Sequence, residues 1–467
     1  MKFRLLVFPT ALILGSCVVG PDFQLPSSSL SSKWKESDLS PASQLPDDWW
    51  RLFHDPELSR LVTRALVANN DLAAAKARVD TARALVGNDR ASLFPTLDLT
   101  GSAGISRSSA DALRGNLPPT AKIELESQRY RSTFNLAYDP DLWGKNKRKI
   151  ESSAAQAAAT EALLDAQRLG VATEVCRQYF LLRGLDAQNS VLRSTFASRQ
   201  EALAIQKSKL DAGLIDGLST SRAATEVDLA NNDLAVVQRQ RGSAEHALAV
   251  LCGATPSDFA IAHRTTDSSL PTLRPGLPAD VLKRRPDVRA AVHELHAANA
   301  KIGIAEAAFY PNFVLNTGAG FESVDLTRFL DWENRVLSLG TGLAAPLLDG
   351  GSNQASYQAA RSRYDEALAK YRQVLLIALR EVEDALVDLK GLAKSRTALQ
   401  LALRHSQETK QLSQERYTKG LTSYFEVVDA ERGVLQIQLV LSQLEAQQRI
   451  TLAALAKALG GGWNGKS

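Results

Sequence analysis

The chain has 467 residues and a formal net charge of +4, with acidic and basic residues interleaved along its length. It contains no basic tract and no low-complexity arm, so its composition argues against a nucleic-acid partner. After the N-terminal segment no apolar run reaches the length of a transmembrane helix, and a membrane crossing would have to use strands.

Residues 1–16 have the layout of an export signal. Lys2 and Arg4 precede a short apolar run that ends in LGSC at Cys17, and this run is too short to span a bilayer. The Leu-x-x-Cys ending resembles a bacterial lipobox, which implies cleavage before Cys17 and acylation of its thiol; a plain signal peptide is the alternative. Val18, rather than aspartate, follows the cysteine, and the sorting rule of such lipoproteins then indicates the outer membrane.

The remaining cysteines, Cys176 and Cys252, lie in helical patterns among apolar neighbours. We predict that both are small buried hydrophobic residues, and not members of a disulfide or a metal site.

After an extended segment over residues 17–55, a first helix is predicted over about 56–91, with Pro56 in its first turn. Two proline-free segments, 144–212 and 351–419, predict continuous helices of about 100 Å each, at 1.5 Å per residue. Shorter helices are predicted over 219–251, 279–309 and 425–459, so that two half-length helices would match each long one. A heptad stripe along the long segments indicates packing against other helices, with a solvated surface coiled coil as the alternative.

The hydrophobic period changes from helical to two just after Pro95 and again after Pro311. Each place has two alternating runs, which predicts four strands of about ten residues with one apolar and one polar face. An amphipathic hairpin in a soluble domain is the alternative. The apolar positions are Leu97, Leu99, Ala103 and Ile105; Tyr130, Phe134, Leu136 and Tyr138; Phe313, Leu315, Ala319 and Phe321; and Leu337, Leu339 and Leu343.

Four strands are too few to close a barrel in a membrane, where single-chain barrels begin near eight strands. Unpaired backbone groups at an open sheet edge cost several kcal/mol each in lipid. The sequence therefore predicts that several chains share one barrel, with the segments 106–128 and 323–334 as its extracellular loops.

The chain is an internal duplication, because its motifs recur in the same order at a spacing of roughly 200 residues. Residues 90–104 match 306–320, and residues 247–253 match 454–460. A glycine followed by leucine ends each long helical segment, at Gly213 and Gly420, which predicts two hairpin tips, at 213–218 and 420–424. The predicted divisions are a first repeat over 56–255, a linker over 256–279, a second repeat over 280–460 and a tail over 461–467.

No catalytic constellation is found, and no cofactor is expected. The nearest candidate is HELH at His293–His296, but its histidines are three residues apart and a zincin helix needs them four apart. Solvated or packing histidines are the better interpretation.

Several motifs together resemble the TolC-like outer membrane factors, in their acylated branch of the NodT and OprM type. They fall in the family's order and cover nearly all of the mature chain: SCVVGPDF, WWRLFHDPEL, NNDLAAAKARVDTARA, RRPDVRAAVHELHAANAKIGIAEAAFYPNF and RYTKGLTSYFEVVDAERG. The resemblance implies a mixed α and β membrane protein: a homotrimer with a 12-stranded outer-membrane barrel, four strands per chain, that continues into a long periplasmic barrel of helices.

The resemblance also implies a gate at the hairpin tips. Tyr417, Gly420, Glu426 and Asp429 match the family's entrance motif, in which an adaptor protein opens an iris of coiled coils. Gly213 is its counterpart at the first tip, where Ser219 stands in place of the acid that some members carry, so the resemblance does not determine which contacts close this gate. Glu426 alone can also be a solvated helix start favoured by the helix dipole.

The function implied is a passive exit duct of a tripartite exporter in a Gram-negative bacterium, lipid-anchored in the outer membrane. Its partners would be a periplasmic adaptor and an inner-membrane pump, of the proton-driven RND type. The alternatives are the exit duct of a type I protein secretion system, a periplasmic adaptor lipoprotein and an envelope enzyme. The adaptor is disfavoured because two helical hairpins and membrane-type strands are predicted, and the enzyme because no site is found.

Overall fold

The structure is a computed structural model that describes residues 18–27, 33–35, 45–109, 125–265, 270–276, 278 and 284–462. The predicted lipidation residue Cys17 lies outside the described residues. So do most of the first predicted loop and the tail beyond residue 462.

Helices and strands follow the predicted order. The helices are α1 (Pro56–Ala68), α2 (Asn70–Ala91), α3 (Lys145–Asp211), α4 (Gly217–Leu251), α5 (Pro286–Ala307), α6 (Ser352–Thr418) and α7 (Tyr424–Ala458). The strands are β1 (Thr96–Arg107), β2 (Glu126–Tyr138), β3 (Asn312–Ser323) and β4 (Arg335–Ala344), and short 3₁₀ turns lie at Trp49–Phe53, Pro256–Asp258, Leu326–Arg328 and Trp332–Asn334. The two long helices have 67 residues each, which confirms their predicted continuity.

The prediction of one helix over 56–91 was wrong, because the chain leaves helical geometry at Asn69, which has φ −71° and ψ 125°. The Asn69 side chain accepts a hydrogen bond from the Leu72 amide at 3.1 Å and donates one to the Leu251 carbonyl at 3.0 Å. Asn69 therefore caps α2 and ties it to the end of α4, and a polar side chain with these partners stabilises the break.

Of the predicted helix over 279–309, the structure describes α5, which spans Pro286–Ala307 and begins at a proline. Proline lacks an amide hydrogen and restricts the residue before it, so it favours the first turn of a helix over its interior. Part of the predicted range, 279–283, lies outside the described residues.

The chain divides into two compact units, of which the first consists of Met1–Pro26, Asp80–Ala159 and Val292–Lys370. It contains a four-stranded antiparallel sheet in the order β1-β2-β3-β4. One row across the four strands consists of Leu97, Leu136, Thr317 and Leu339, each opposite the next. The predicted apolar positions therefore share one face of the sheet, and many of them are exposed, including Leu97, Leu99, Ile105, Leu337, Leu339 and Leu343.

In the same unit the segment that follows Cys17 is held by specific contacts. The Val19 amide donates to the Trp143 carbonyl at 3.1 Å. The buried Arg148 guanidinium donates to the carbonyls of Val19 and Gly20 and to the Asp22 carboxylate, at 2.9–3.1 Å. Phe23 stacks on His296 with ring centroids 4.5 Å apart. Residues 18–23 therefore have a defined place against α3 and α5.

The second unit consists of Ser27–Val79, Thr160–Ala291 and Tyr371–Ser467, and it contains the main apolar core. Several heptad positions of α3 are buried here, including Val175, Leu182 and Leu192. Asp55 caps α1 by accepting the amides of Glu57 and Leu58, and its second oxygen accepts the Tyr179 hydroxyl at 2.7 Å. Burial raises the pKa of Asp55, but its bonds from Tyr179, Leu58 and Arg264 outweigh burial and lower it overall.

Helix α4 ends in a Schellman turn at Gly253, which has φ +61°. The Gly253 amide donates to Val250 O, and the Ala254 amide donates to Ala249 O at 2.8 Å. The matching turn of the second repeat lies at Gly460, with φ +91°. A Cβ on Gly253 would lie 2.2 Å from the Ala68 carbonyl oxygen, so this turn packs directly on the end of α1.

Cys176 and Cys252 are both buried and unpaired, as predicted. Burial raises the pKa of each thiol, and the Cys252 Sγ donates to the Leu61 carbonyl at 3.6 Å. We expect neither thiol to react with a maleimide reagent in the folded protein at about pH 8, because the thiolate is the reactive form. Mass analysis should show two added groups only after unfolding, and rapid labelling of the folded protein would contradict the assignment.

Within the described part of the chain, no helix combines the length and the apolarity needed to cross a bilayer.

Candidate gate at the hairpin tips

The two predicted tips have the same backbone structure. At the first, the Gly213 amide donates to Leu210 O at 2.8 Å and the Leu214 amide to Lys209 O at 2.9 Å. At the second, the Gly420 amide donates to Tyr417 O and the Leu421 amide to Arg416 O, both at 2.9 Å. With φ of +69° and +70°, the two glycines form matched Schellman turns. Glycine adopts this left-handed conformation without the steric strain that a Cβ causes.

The leucine after each tip glycine is exposed. In a Schellman turn this residue commonly packs back on the helix, but Leu214 is 73% exposed and Leu421 is 67% exposed. Each tip therefore presents an apolar side chain to solvent at an equivalent place.

Tyr417 joins the two hairpins. Its hydroxyl lies 3.0 Å from Gln206 Nε2 and 3.2 Å from Lys209 Nζ, and both of these residues belong to α3. The Lys209 ammonium lies 4.8 Å from the Tyr417 ring centroid, and the centroid of the Tyr424 ring lies 5.5 Å from the same point. An aromatic side chain at the end of α6 is thus fixed by polar groups of the other hairpin.

An ion triplet made of the buried Arg199 and Glu226 and the half-exposed Arg432 lies close to Tyr417 and is called here the tip triplet. Glu226 is 4% exposed, and its Oε2 lies 2.9 Å from Arg199 Nη2. Arg432 donates from Nε to Glu226 Oε1 at 3.0 Å and also pairs with it through Nη2. The hydrogen bond to Glu226 raises the pKa of Arg432. The tip triplet joins α3 and α4 to α7.

Sequence reasoning missed the tip triplet, although a signal was present. Two buried positions of α4, Glu226 and Arg241, are charged. They belong to a heptad stripe of buried residues: Ala223, Glu226, Ala230, Leu234, Val237, Arg241, Ala244 and Leu248. Arg241 is likewise paired, with its Nε 2.8 Å from Asp186 Oδ1. A charge at a core position of a heptad needs a buried partner, and this rule identifies both residues.

The predicted acids Glu426 and Asp429 are exposed on the first turns of α7. Asp429 adds to the negative charge around Arg432, and its carboxylate makes no hydrogen bond to any described residue. Ser219 is half-buried in the first turn of α4. Within one chain Tyr417 and the tip triplet hold the tips together, along with an apolar cluster in which Ala223 of the first hairpin packs with Tyr424, Val427 and Val428 of the second, whereas the acids face solvent.

A polar cleft of about 430 Å³ lies between α3 and the second hairpin, next to the tip triplet. Ser190, Ser194 and Ser198 line it from α3, and the Lys410–Glu431 pair, 3.1 Å apart, closes its other wall. The cleft offers hydroxyls and one ion pair, which suit a polar protein surface better than an apolar small molecule.

The histidines of HELH lie on α5, and among the described residues they do not belong to a group that could hold a metal ion. His296 Nε2 is 2.9 Å from Glu151 Oε1, and its ring stacks on Phe23. In the residues that the structure describes, no group of three or more side chains could hold a metal ion.

Comparison with known proteins identifies the family. The family model "Outer membrane efflux protein" matches the chain twice, over residues 61–254 and 277–461, which follows the duplication. The solvent efflux pump outer membrane protein SrpC of Pseudomonas putida is 33% identical over 473 residues, covering 99% of each chain. Outer membrane protein OprJ of Pseudomonas aeruginosa is 30% identical, over 97% of this chain and 95% of OprJ.

The solved structure of the outer-membrane channel OprN superimposes on this chain with a TM-score of 0.88 at 29% identity. The match covers 96% of this chain and 100% of that one. The four strands, the long helices and the paired halves are thus a TolC-like fold. The chain therefore belongs to the outer membrane efflux protein family, and it is an outer membrane channel of tripartite efflux pumps and not an enzyme.

Proposed function

We propose that three copies of this chain form the exit duct of a proton-driven drug exporter, gated at the hairpin tips. The observation that carries the proposal is the pair of matched tips, joined by Tyr417 and the tip triplet. Polar contacts between hairpins are reversible, so an adaptor that competes for them can separate the hairpins without unfolding either one.

The sheet supports an assembly of several chains, and the number three comes from the family resemblance. Strands β1 and β4 are its two edges, and each carries unpaired backbone groups next to an exposed apolar face. In lipid these groups need partners, and the strand of another copy supplies them. Three chains give twelve strands, within the range of membrane barrels.

We assign the adaptor contact to Leu214, Leu421 and the polar cleft between α3 and the second hairpin. The exposed leucines offer apolar anchors at equivalent places on the two hairpins. The cleft supplies polar groups. Apolar anchors together with polar groups at the rim are typical of protein interfaces.

The cargo is proposed to be small drug-like or solvent molecules, because SrpC is named for solvent efflux. A strain lacking the gene should become sensitive to several antibiotics, dyes and detergents, and the intact gene should restore resistance. Unchanged sensitivity with loss of one secreted protein would favour a type I secretion duct instead.

Lipidation of Cys17 is part of the proposal, since Val18 and Val19 lie at the junction of the sheet with α3. Intact-mass measurement of membrane-extracted protein should give a chain that begins at Cys17 and carries the added acyl groups. A Cys17→Ser protein with a replacement signal should still assemble, because the strands hold it in the membrane. An unmodified N-terminus at another residue would contradict the assignment.

The exposed acids are proposed to line the mouth and to set its ion preference. Glu426→Gln with Asp429→Asn should lower the preference for cations in planar bilayers, because removal of fixed acids weakens the negative potential of a narrow pore. The reversal potential in a salt gradient measures this change, and Glu408→Gln on α6 is the control. An unchanged reversal potential at normal trimer yield would mean that the two acids are only solvated helix-start residues.

A further inference from the structure

The polar face of the sheet carries few charges, and their placement is uneven. On the described strands the charged residues of this face are Asp98, Arg129, Arg131 and Glu322, by the register of the four strands. Asp98 lies near the start of β1. The two arginines and Glu322 lie at the end of the sheet where the loops connect the strands. Neutral side chains and glycines fill the remaining positions.

At this end of the sheet, the Glu322 carboxylate lies near the guanidinium groups of both Arg129 and Arg131. Glu322 Oε1 is 3.5 Å from Arg129 Nη1, and Glu322 Oε2 is 3.6 Å from Arg131 Nε. Both arginines are exposed, and both distances exceed those of a tight charge-assisted hydrogen bond. Among the residues that the structure describes, the cluster therefore has one more positive than negative charge per chain, and guanidinium donor groups that can bind an anion.

The residues opposite the arginines leave space in front of them. On the neighbouring strand β1, Gly104 lies opposite Arg129 and Ser102 lies opposite Arg131. In the neighbouring loop, Arg328 lies 3.1 Å from Asp331 and 3.7 Å from Glu333, so these loop acids have a cation of their own.

We infer that Arg129 and Arg131 form a collar that binds polyvalent anions of the phosphate type at the loop end of the channel. The inference rests on the proposed trimer, because there the polar faces of three sheets surround one conduit and the three clusters face each other. Planar guanidinium groups recognise phosphate oxygens bidentately, and a ring of fixed charges sets the charge preference of a pore. The collar would favour passage of anionic groups and retard inward movement of cationic molecules.

The test is calorimetric titration of inorganic tripolyphosphate into the detergent-solubilised full-length protein at low salt. We expect one anion per three chains. Arg129→Gln with Arg131→Gln should raise the dissociation constant about tenfold or more, because most of the local positive charge is lost. Glu322→Gln should lower it about threefold, since the shared counter-charge is removed.

Arg335→Gln is the matched control, because Arg335 lies at the same end of the sheet but on its apolar face, opposite Phe321. In the same titration repeated at 0.15 M salt, where charges more than about 8 Å apart are largely screened, its dissociation constant should change less than about twofold. Tighter binding in Glu322→Gln is a result that a merely structural role would not give. Equal binding by the double arginine variant, or weaker binding by Glu322→Gln, would overturn the inference. Resting and adaptor-stimulated conductance test the proposed function separately, so a conducting channel without this anion site would contradict only the collar.

Discussion

Glu226→Gln should open the channel at rest. The substitution keeps the size of the side chain but removes the charge that holds Arg199 and Arg432 together. The Arg199–Glu226 pair is buried, and breaking a buried ion pair by removing one partner costs roughly 3–5 kcal/mol, because the charge of Arg199 is left uncompensated. Part of this cost falls on the closed arrangement, so resting conductance in planar bilayers should rise about tenfold or more. Cells should become sensitive to large antibiotics such as vancomycin.

Glu445→Gln is the matched control for this prediction. Glu445 pairs with Arg396 at 3.5 Å and joins α6 to α7, but both side chains are exposed to solvent. Exposed ion pairs contribute about 0–1 kcal/mol, so this variant should behave like the unmodified protein. If Glu226→Gln trimers form at normal yield and conduct no more than the control, then the tip triplet does not hold the gate closed.

Gly253→Ala should destabilise the protein much more than Gly213→Ala. Both glycines occupy the same turn position with nearly the same φ, +61° and +69°. A left-handed alanine costs about 1–2 kcal/mol from backbone sterics in both places. At Gly253 the added Cβ would also lie 2.2 Å from the Ala68 carbonyl oxygen, whereas at Gly213 no heavy atom lies within 4 Å. Overpacking of this kind adds typically 1–3 kcal/mol, and a contact with backbone cannot be relieved by a change of rotamer.

Thermal unfolding followed by circular dichroism measures this difference. The midpoint of Gly213→Ala should fall only slightly, and that of Gly253→Ala should fall several degrees further. Equal midpoints would mean that the end of α1 moves away from the turn at little cost.

Much of the architecture could be predicted because local chemistry determines it. A period of two after each of the duplicated Phe/Tyr–Pro steps specified the strands, and the structure places their apolar residues on one face. Gly213 and Gly420 marked the tips, because a helix that ends in a left-handed turn favours glycine. The long helices were also predictable, since no proline interrupts them.

The features that sequence reasoning missed depend on distant partners. The break at Asn69 is stabilised by the carbonyl of Leu251, 182 residues away. The tip triplet joins Glu226 to Arg432 across 206 residues. No local pattern specifies such a pair, although a charged residue in the heptad stripe of α4 indicates that a partner exists. The roles of Tyr417, Glu426 and Asp429 came from family resemblance, and only Tyr417 contacts the other hairpin within one chain.

The tip triplet also determines how the hairpins align along their length. Long helices rich in alanine and leucine present similar surfaces at successive turns, so two hairpins could pack one turn, about 5.4 Å, out of place with little loss of apolar contact. Arg199 and Glu226 pair within the first hairpin, and one carboxylate oxygen of Glu226 is left to receive Arg432 from the second. A displacement of one turn would leave that buried oxygen without its cation. The hairpins can therefore satisfy their charges in one register only, a role in which buried polar groups are well attested in coiled coils.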